Sequence, residues 1–249
     1  MSGAFLGSVL RYGGYCLELG LILYVIGRGR FKHYAAPVAY VASVLAAECV
    51  RSYVLSHFGL SSKQYFYSYW LTDFCLALGA FFLVCAFFRR ACREEEKIWG
   101  IVRPMLPMTF VLVLGISVLS LSRNYKEIYS ARFIYEFEQN LYFTCLVLVT
   151  LLYILIQQTQ SADDQLGLLV TGMGIQFAGP AAIFALTSLM PGSKFGPSLL
   201  AYFSPLCSLL MLLTWSYAMV RAPKHAKVAV IGQSPAWAES ALSPRSSVI

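Results

Sequence analysis

Seven long apolar stretches, separated by short polar loops, run through this chain from near its start to about Val220. They cover Ser8–Ile26, Tyr34–His57, Tyr65–Phe88, Ile98–Leu121, Glu138–Gln157, Leu166–Met190 and Ser198–Val220. Each is close to the ~20 residues that an α-helix needs to cross ~30 Å of hydrocarbon. With 58% hydrophobic and 12% charged residues, the chain has too little polar surface to clothe a water-soluble fold. The pattern predicts an all-α, polytopic membrane protein: a seven-transmembrane-helix bundle that uses residues 1–221 as one domain. Residues 222–249, rich in Ser, Pro and Ala, read as a disordered cytoplasmic tail too short for a kinase, nuclease or binding domain. Met1-Ser2-Gly3-Ala4-Phe5 lacks a basic region ahead of an apolar core, so no cleaved signal peptide is expected and the first span is retained.

Basic residues set the expected orientation. Six lie at one set of span ends: Arg11, Lys63, Arg123, Lys126, Arg132 and Lys194. Twelve lie at the other: Arg28, Arg30, Lys32, Arg89, Arg90, Arg93, Lys97, Arg103, Arg221, Lys224, Lys227 and Arg245. The positive-inside rule places the first set outside and the second in the cytoplasm, with the N-terminus out and the C-terminus in. The net charge of +7 therefore reflects topology. Short positive loops beside a membrane form no basic face, and no nucleic-acid partner is expected.

Cys16, Cys49, Cys75, Cys85, Cys145 and Cys207 fall within spans and Cys92 in a predicted cytoplasmic loop, with no CxxC pair and no Cys/His cluster. They read as small apolar residues. His33, His57 and His225 are far apart near span ends, which gives no support for a metal site. No HExxH, GxSxG or phosphate-binding loop occurs, and no histidine sits mid-span to act as a base. No lysine lies deep in a span, which argues against a retinal Schiff base. The chain is expected to be non-enzymatic, without catalytic residues, cofactor or metal.

Ionisable groups inside spans are the informative residues. Each costs ~2.5–3.5 kcal/mol on insertion scales and usually faces a bundle interior or a watery cavity. The first three spans carry five: Arg11, Glu18, Glu48, Arg51 and Asp73. Spans five to seven carry none between Leu141 and Met190, apart from the loop acids Asp163 and Asp164, and none from Phe195 to Val220. Arg11, Tyr15 and Glu18 share one face of the first helix, and Glu48 and Arg51 can touch at i,i+3. Span direction places Glu18 near mid-membrane, and Glu48, Arg51 and Asp73 in the outer half, so all can meet in one layer. Two readings follow. A structural network would fix how three helices pack. A functional pocket would bind a small polar ligand or carry protons, since burial in hydrocarbon favours the neutral form of a carboxyl group. The spare acid favours function.

Tyr65-Phe66-Tyr67-Ser68-Tyr69-Trp70 opens the third span. It reads as an aromatic belt at the headgroups, or as the lining of a pocket for an apolar or cationic ligand beside Asp73. Glu136, Glu138 and Asn140 open the fifth helix and could close the mouth of a cavity or cap the helix. The sixth span carries a small-residue stripe, Gly174, Ala178, Ala182 and Ala185, suited to close helix approach. Pro104, Pro107, Pro180 and Pro205 should bend or loosen their helices, for packing or as hinges. Arg93-Glu94-Glu95-Glu96-Lys97 reads as a solvated helix extension and the best surface for a cytoplasmic partner.

The motif Tyr65–Trp70, followed by Asp73 and an apolar run to Phe87-Phe88-Arg89-Arg90, resembles a group of multi-span integral membrane proteins of acidobacterial type. The likeness covers the first three or four spans and implies a bacterial inner-membrane location, with no particular activity. The layout also resembles the membrane sensor regions of some bacterial histidine kinases, without their kinase segment. The expected function is a non-enzymatic sensor or small-polar-ligand-binding protein in the plasma membrane, signalling through a cytoplasmic partner. Glu18, Arg51 and Asp73 would recognise the ligand, Tyr69 and Trp70 would wall the site, and Glu48 would pair with Arg51 when it is empty. The alternatives are a small, proton-coupled transporter loading its proton on Glu18 or Asp73, and a structural subunit of a membrane complex.

Overall fold

The computed structural model describes residues 2–29, 31–93, 95–122, 131–158, 164–189 and 195–221. Some side chains near helix ends lie outside that description, among them Arg11, Arg132 and Glu136, as do the loop residues Arg123, Lys126 and Lys194 and the tail 222–249. Seven helices account for nearly all of the described chain: α1 (Ser2–Gly27), α2 (Phe31–Phe58), α3 (Lys63–Ala91), α4 (Glu96–Ser122), α5 (Ala131–Gln158), α6 (Asp164–Leu189) and α7 (Phe195–Val220). Helix is the form that satisfies every backbone N–H and C=O within a segment, which hydrocarbon demands. Six of the seven are long and apolar enough to cross a membrane; the described apolar part of α1, Tyr12–Gly27, is shorter.

Local chemistry sets the helix ends. Gly29 and Gly59 take left-handed conformations, at φ 65° and 75°, and terminate α1 and α2 where a side chain would strain the backbone. Ser62 caps α3, its hydroxyl accepting from the Tyr65 N–H at 3.1 Å. Pro37 has no N–H to offer the carbonyl four residues earlier, and its ring crowds that turn. Tyr34 accordingly leaves helical geometry (φ −112°, ψ 19°), and α2 starts with a kink. The Arg93–Lys97 run does not extend a helix as expected. α3 ends at Ala91, Cys92 and Arg93 form a turn, and α4 begins at Glu96.

Helix neighbours close a ring in the order α1, α2, α3, α5, α6, α7 and back to α1, while α4 packs outside it on α5 and only lightly on α3. α4 consequently exposes one apolar side, including Met105, Met108, Leu112 and Leu119, as a lipid-facing helix should. The tightest seam lies between α6 and α7. Trp215 is fully buried there and its indole N–H donates to the Leu169 carbonyl at 2.9 Å. A Cβ on Gly172 would come within 2.7 Å of that indole, and one on Gly179 would collide with Cys207 Sγ. These two glycines, seven apart, make the close approach. Of the expected small-residue stripe, Gly174 faces Val149 on α5 at an ordinary distance, while Ala178, Ala182 and Ala185 are exposed. The stripe was offset by part of a turn because sequence spacing defines a helical face but not which face a neighbour covers.

Candidate functional site

Four of the singled-out residues meet in one knot, centred on Arg51. Its Nε donates to Thr72 Oγ1 at 2.7 Å, and one terminal nitrogen donates to Asp73 Oδ1 at 3.0 Å and more weakly to the Tyr69 carbonyl at 3.3 Å. The other terminal nitrogen lies 3.5 Å from Glu48 Oε1, one turn earlier on α2. The guanidinium also sits over the Tyr69 ring, 4.4 Å from its centroid. Thr72 holds its place by donating to the Ser68 carbonyl at 2.8 Å. Arg51 thus spends its planar donor fork on α3. Only 12% of its side chain is exposed, against 27% for Glu48 and 19% for Asp73.

The knot extends to two further helices. On the α1 side, the Tyr15 hydroxyl donates to Glu48 Oε2 at 2.9 Å. On the α5 side, half-buried Glu138 lies within the electrostatic reach of Asp73 and Arg51. Polar groups therefore run across the bundle from α1 through α2 and α3 to α5. From the helix ends that flank the Gly59–Ser62 turn, Arg51, Glu48 and Asp73 lie about 10–15 Å deep at ~1.5 Å per residue. Glu138 lies at a similar height from the start of α5. Of the residues expected to share one layer, Glu48, Arg51 and Asp73 meet.

Glu18 borders this layer from one turn beyond Tyr15. It is 7% exposed, and its Oε2 has no hydrogen-bond partner among the described residues. The charge that acts on it is Glu48. Trp70 packs edge-on against Phe66 and Tyr69, with ring centroids 5.9 and 5.8 Å away. Arg11, the second cation expected in the layer, has a side chain outside the described residues. Among the described side chains, Arg51 pairs with Glu48 and Asp73 and acts on Glu138, while Glu18 lies beside Glu48.

Several contributors were not singled out from the sequence. Thr72 and Tyr40 are uncharged, so a search for ionisable groups passes over them. Tyr40 is buried on α2 within the electrostatic reach of Asp73 and Glu18, and Tyr142 on α5 lies within that of Glu138 and Asp73. Glu138 was read as a helix cap or the mouth of a cavity; it joins the knot instead, because α5 packs directly on α3. Asn140, read the same way, donates to the buried Ser117 hydroxyl on α4 at 3.2 Å and ties α4 to α5. Among the described residues no group of three or more His, Cys, Asp or Glu is arranged to hold a metal ion, and the seven cysteines are free.

Fold and site together define a helical membrane bundle with an acid-rich polar layer at one end. No protein-family model, curated protein or solved structure matches the chain.

Proposed function

We propose that this is a seven-span integral membrane protein acting as a non-enzymatic sensor, and that the ligand of its polar layer is the proton. The observation that carries this reading is the buried Glu18 carboxyl, with one oxygen unpartnered, beside a knot in which acids outnumber the described cation. A network built only to pack helices gains nothing from surplus acid, because each unpaired buried charge is costly. Protons offset that surplus without needing a cavity. A larger anionic ligand is disfavoured, since every nitrogen of Arg51 already has a partner. Proton binding at the Asp73–Glu138 pair and at Glu18 would change the attraction between α1, α2, α3 and α5, and so the packing of half the bundle. The seven-span count follows if the whole of α1 crosses the membrane. The basic ends of α3 and α4 then favour a plasma-membrane orientation with the N-terminus outside.

Infrared difference spectroscopy of the protein in lipid nanodiscs, stepped between acid and alkaline buffer, tests this. The expected result is a protonated-carboxyl C=O band that appears and disappears with pH and loses intensity in Glu18→Gln and again in Glu138→Gln. A spectrum without pH-dependent carboxyl bands would reduce the layer to a structural staple. Proton flux in proteoliposomes, lost in the same variants, would instead make the protein a proton-coupled carrier.

A further inference from the structure

At the opposite end of α3 the chemistry reverses. A cavity of about 570 Å³ is lined by His33 from α2, Ala86, Arg89 and Arg90 from α3, Cys92 and Arg93 from the following turn, and Trp99 from α4. Three guanidinium groups surround one space, and no acid is among the described residues that line it. Arg89 and Arg93 make no ion pair with a described acid, and Glu95, the described acid of the turn, is exposed and outside the lining. Arg90 is held in place by a contact of 2.8 Å between its Nη2 and His33 Nε2. An imidazole nitrogen that accepts from a guanidinium leaves that cation's charge in place and orients the rest of its donor fork.

Gathering like charges around one space is unfavourable unless something compensates them. The carboxyl end of the α3 dipole does so in part. An anion with several oxygens suits Arg89 and Arg93, because arginine forks match phosphate geometry in pairs. The height of the cavity narrows the source of that anion. Arg89 and Arg90 lie in the last turn of the candidate span Lys63–Ala91, and Trp99 in the first turn of the candidate span Lys97–Leu119; the ends of spans are where headgroup phosphates lie. α4 touches α3 only lightly.

We propose that this cavity binds the phosphate of an anionic lipid headgroup, with Arg89, Arg90 and Arg93 as donors, His33 orienting Arg90 and Trp99 marking the boundary. Basic pockets between membrane helices on the cytoplasmic side suit such headgroups. The site is independent of the acid-rich layer at the other end, and neither reading depends on the other.

Native mass spectrometry and thermal unfolding of the purified protein, titrated with phosphatidylglycerol, cardiolipin or phosphatidylcholine, provide the test. The intact protein should retain an anionic lipid in preference to phosphatidylcholine by about tenfold or more. Arg89→Gln with Arg93→Gln should abolish that preference. Arg89→Lys with Arg93→Lys, which keeps the charge and loses the fork, should weaken it only in part. Arg28→Gln, which removes an exposed positive charge outside the cavity, should leave it unchanged. Absence of any preference in the intact protein, or an equal loss in Arg28→Gln, would overturn the proposal. So would full competition by millimolar inorganic phosphate, because the site would then serve a soluble phosphate.

Discussion

Arg51 shows how one side chain can organise several helices. It joins α2 to α3 through Thr72, Asp73 and the Tyr69 carbonyl, and through Glu48 it reaches Tyr15 on α1. Removing it leaves the partly buried Glu48 and Asp73 without their cation. Arg51→Met should therefore destabilise the protein by about 3–5 kcal/mol, the cost of breaking a buried ion pair, measured by thermal unfolding in detergent. Adding Glu48→Gln and Asp73→Asn to that variant should restore most of the loss, since no stranded charge remains. If the triple variant is as unstable as the single one, packing rather than charge explains Arg51. Glu18 behaves oppositely under the proton reading. Glu18→Gln replaces a proton-bound carboxyl with a neutral group of equal size, so stability should change by no more than about 1 kcal/mol. Its infrared band should nevertheless disappear. A large loss of stability would show that Glu18 works as an anion in the fold.

Between elements, the α6–α7 seam depends on absent side chains. Gly172→Ala would press a methyl group to 2.7 Å from the Trp215 indole and 3.4 Å from the Met211 carbonyl. Overpacking of that kind costs about 1–3 kcal/mol. Gly174→Ala meets only Val149 at 3.6 Å and should be neutral or stabilising by up to about 1 kcal/mol, because alanine restricts the unfolded chain. Thermal unfolding of the two variants side by side gives the sign of each. Equal behaviour would mean that the seam is looser than these distances require. The same pair shows where sequence patterning stops. The small-residue stripe at 174, 178, 182 and 185 was visible, but the buried face belongs to residues 172 and 179.

For the whole molecule, the two ends of α3 carry opposite chemistry. Acids and Arg51 lie near the end that follows the Gly59–Ser62 turn, and three arginines ring the cavity at the other. A sensor of protons from one side should open its acid layer to that side alone. Asp73→Cys, in a background without native cysteines, should react with a membrane-impermeant maleimide only from the face bearing the α2–α3 turn. Reaction from both faces would establish alternating access and favour a carrier. Protection from both would seal the layer and leave it a packing device.

The sequence by itself determined the class. Seven apolar stretches of membrane-crossing length leave helices as the means of satisfying the backbone in hydrocarbon. It also identified Glu48, Arg51 and Asp73, because an ionisable group in an apolar stretch is conspicuous whatever it touches. Tertiary structure decided the rest. Which helices are neighbours is set by side-chain packing between distant segments, and that packing brought Glu138 to Asp73, put α4 outside the ring and chose Gly172 and Gly179 over the alanine stripe. Period and composition constrain a helix's own faces. Only the arrangement of all seven determines what each face meets.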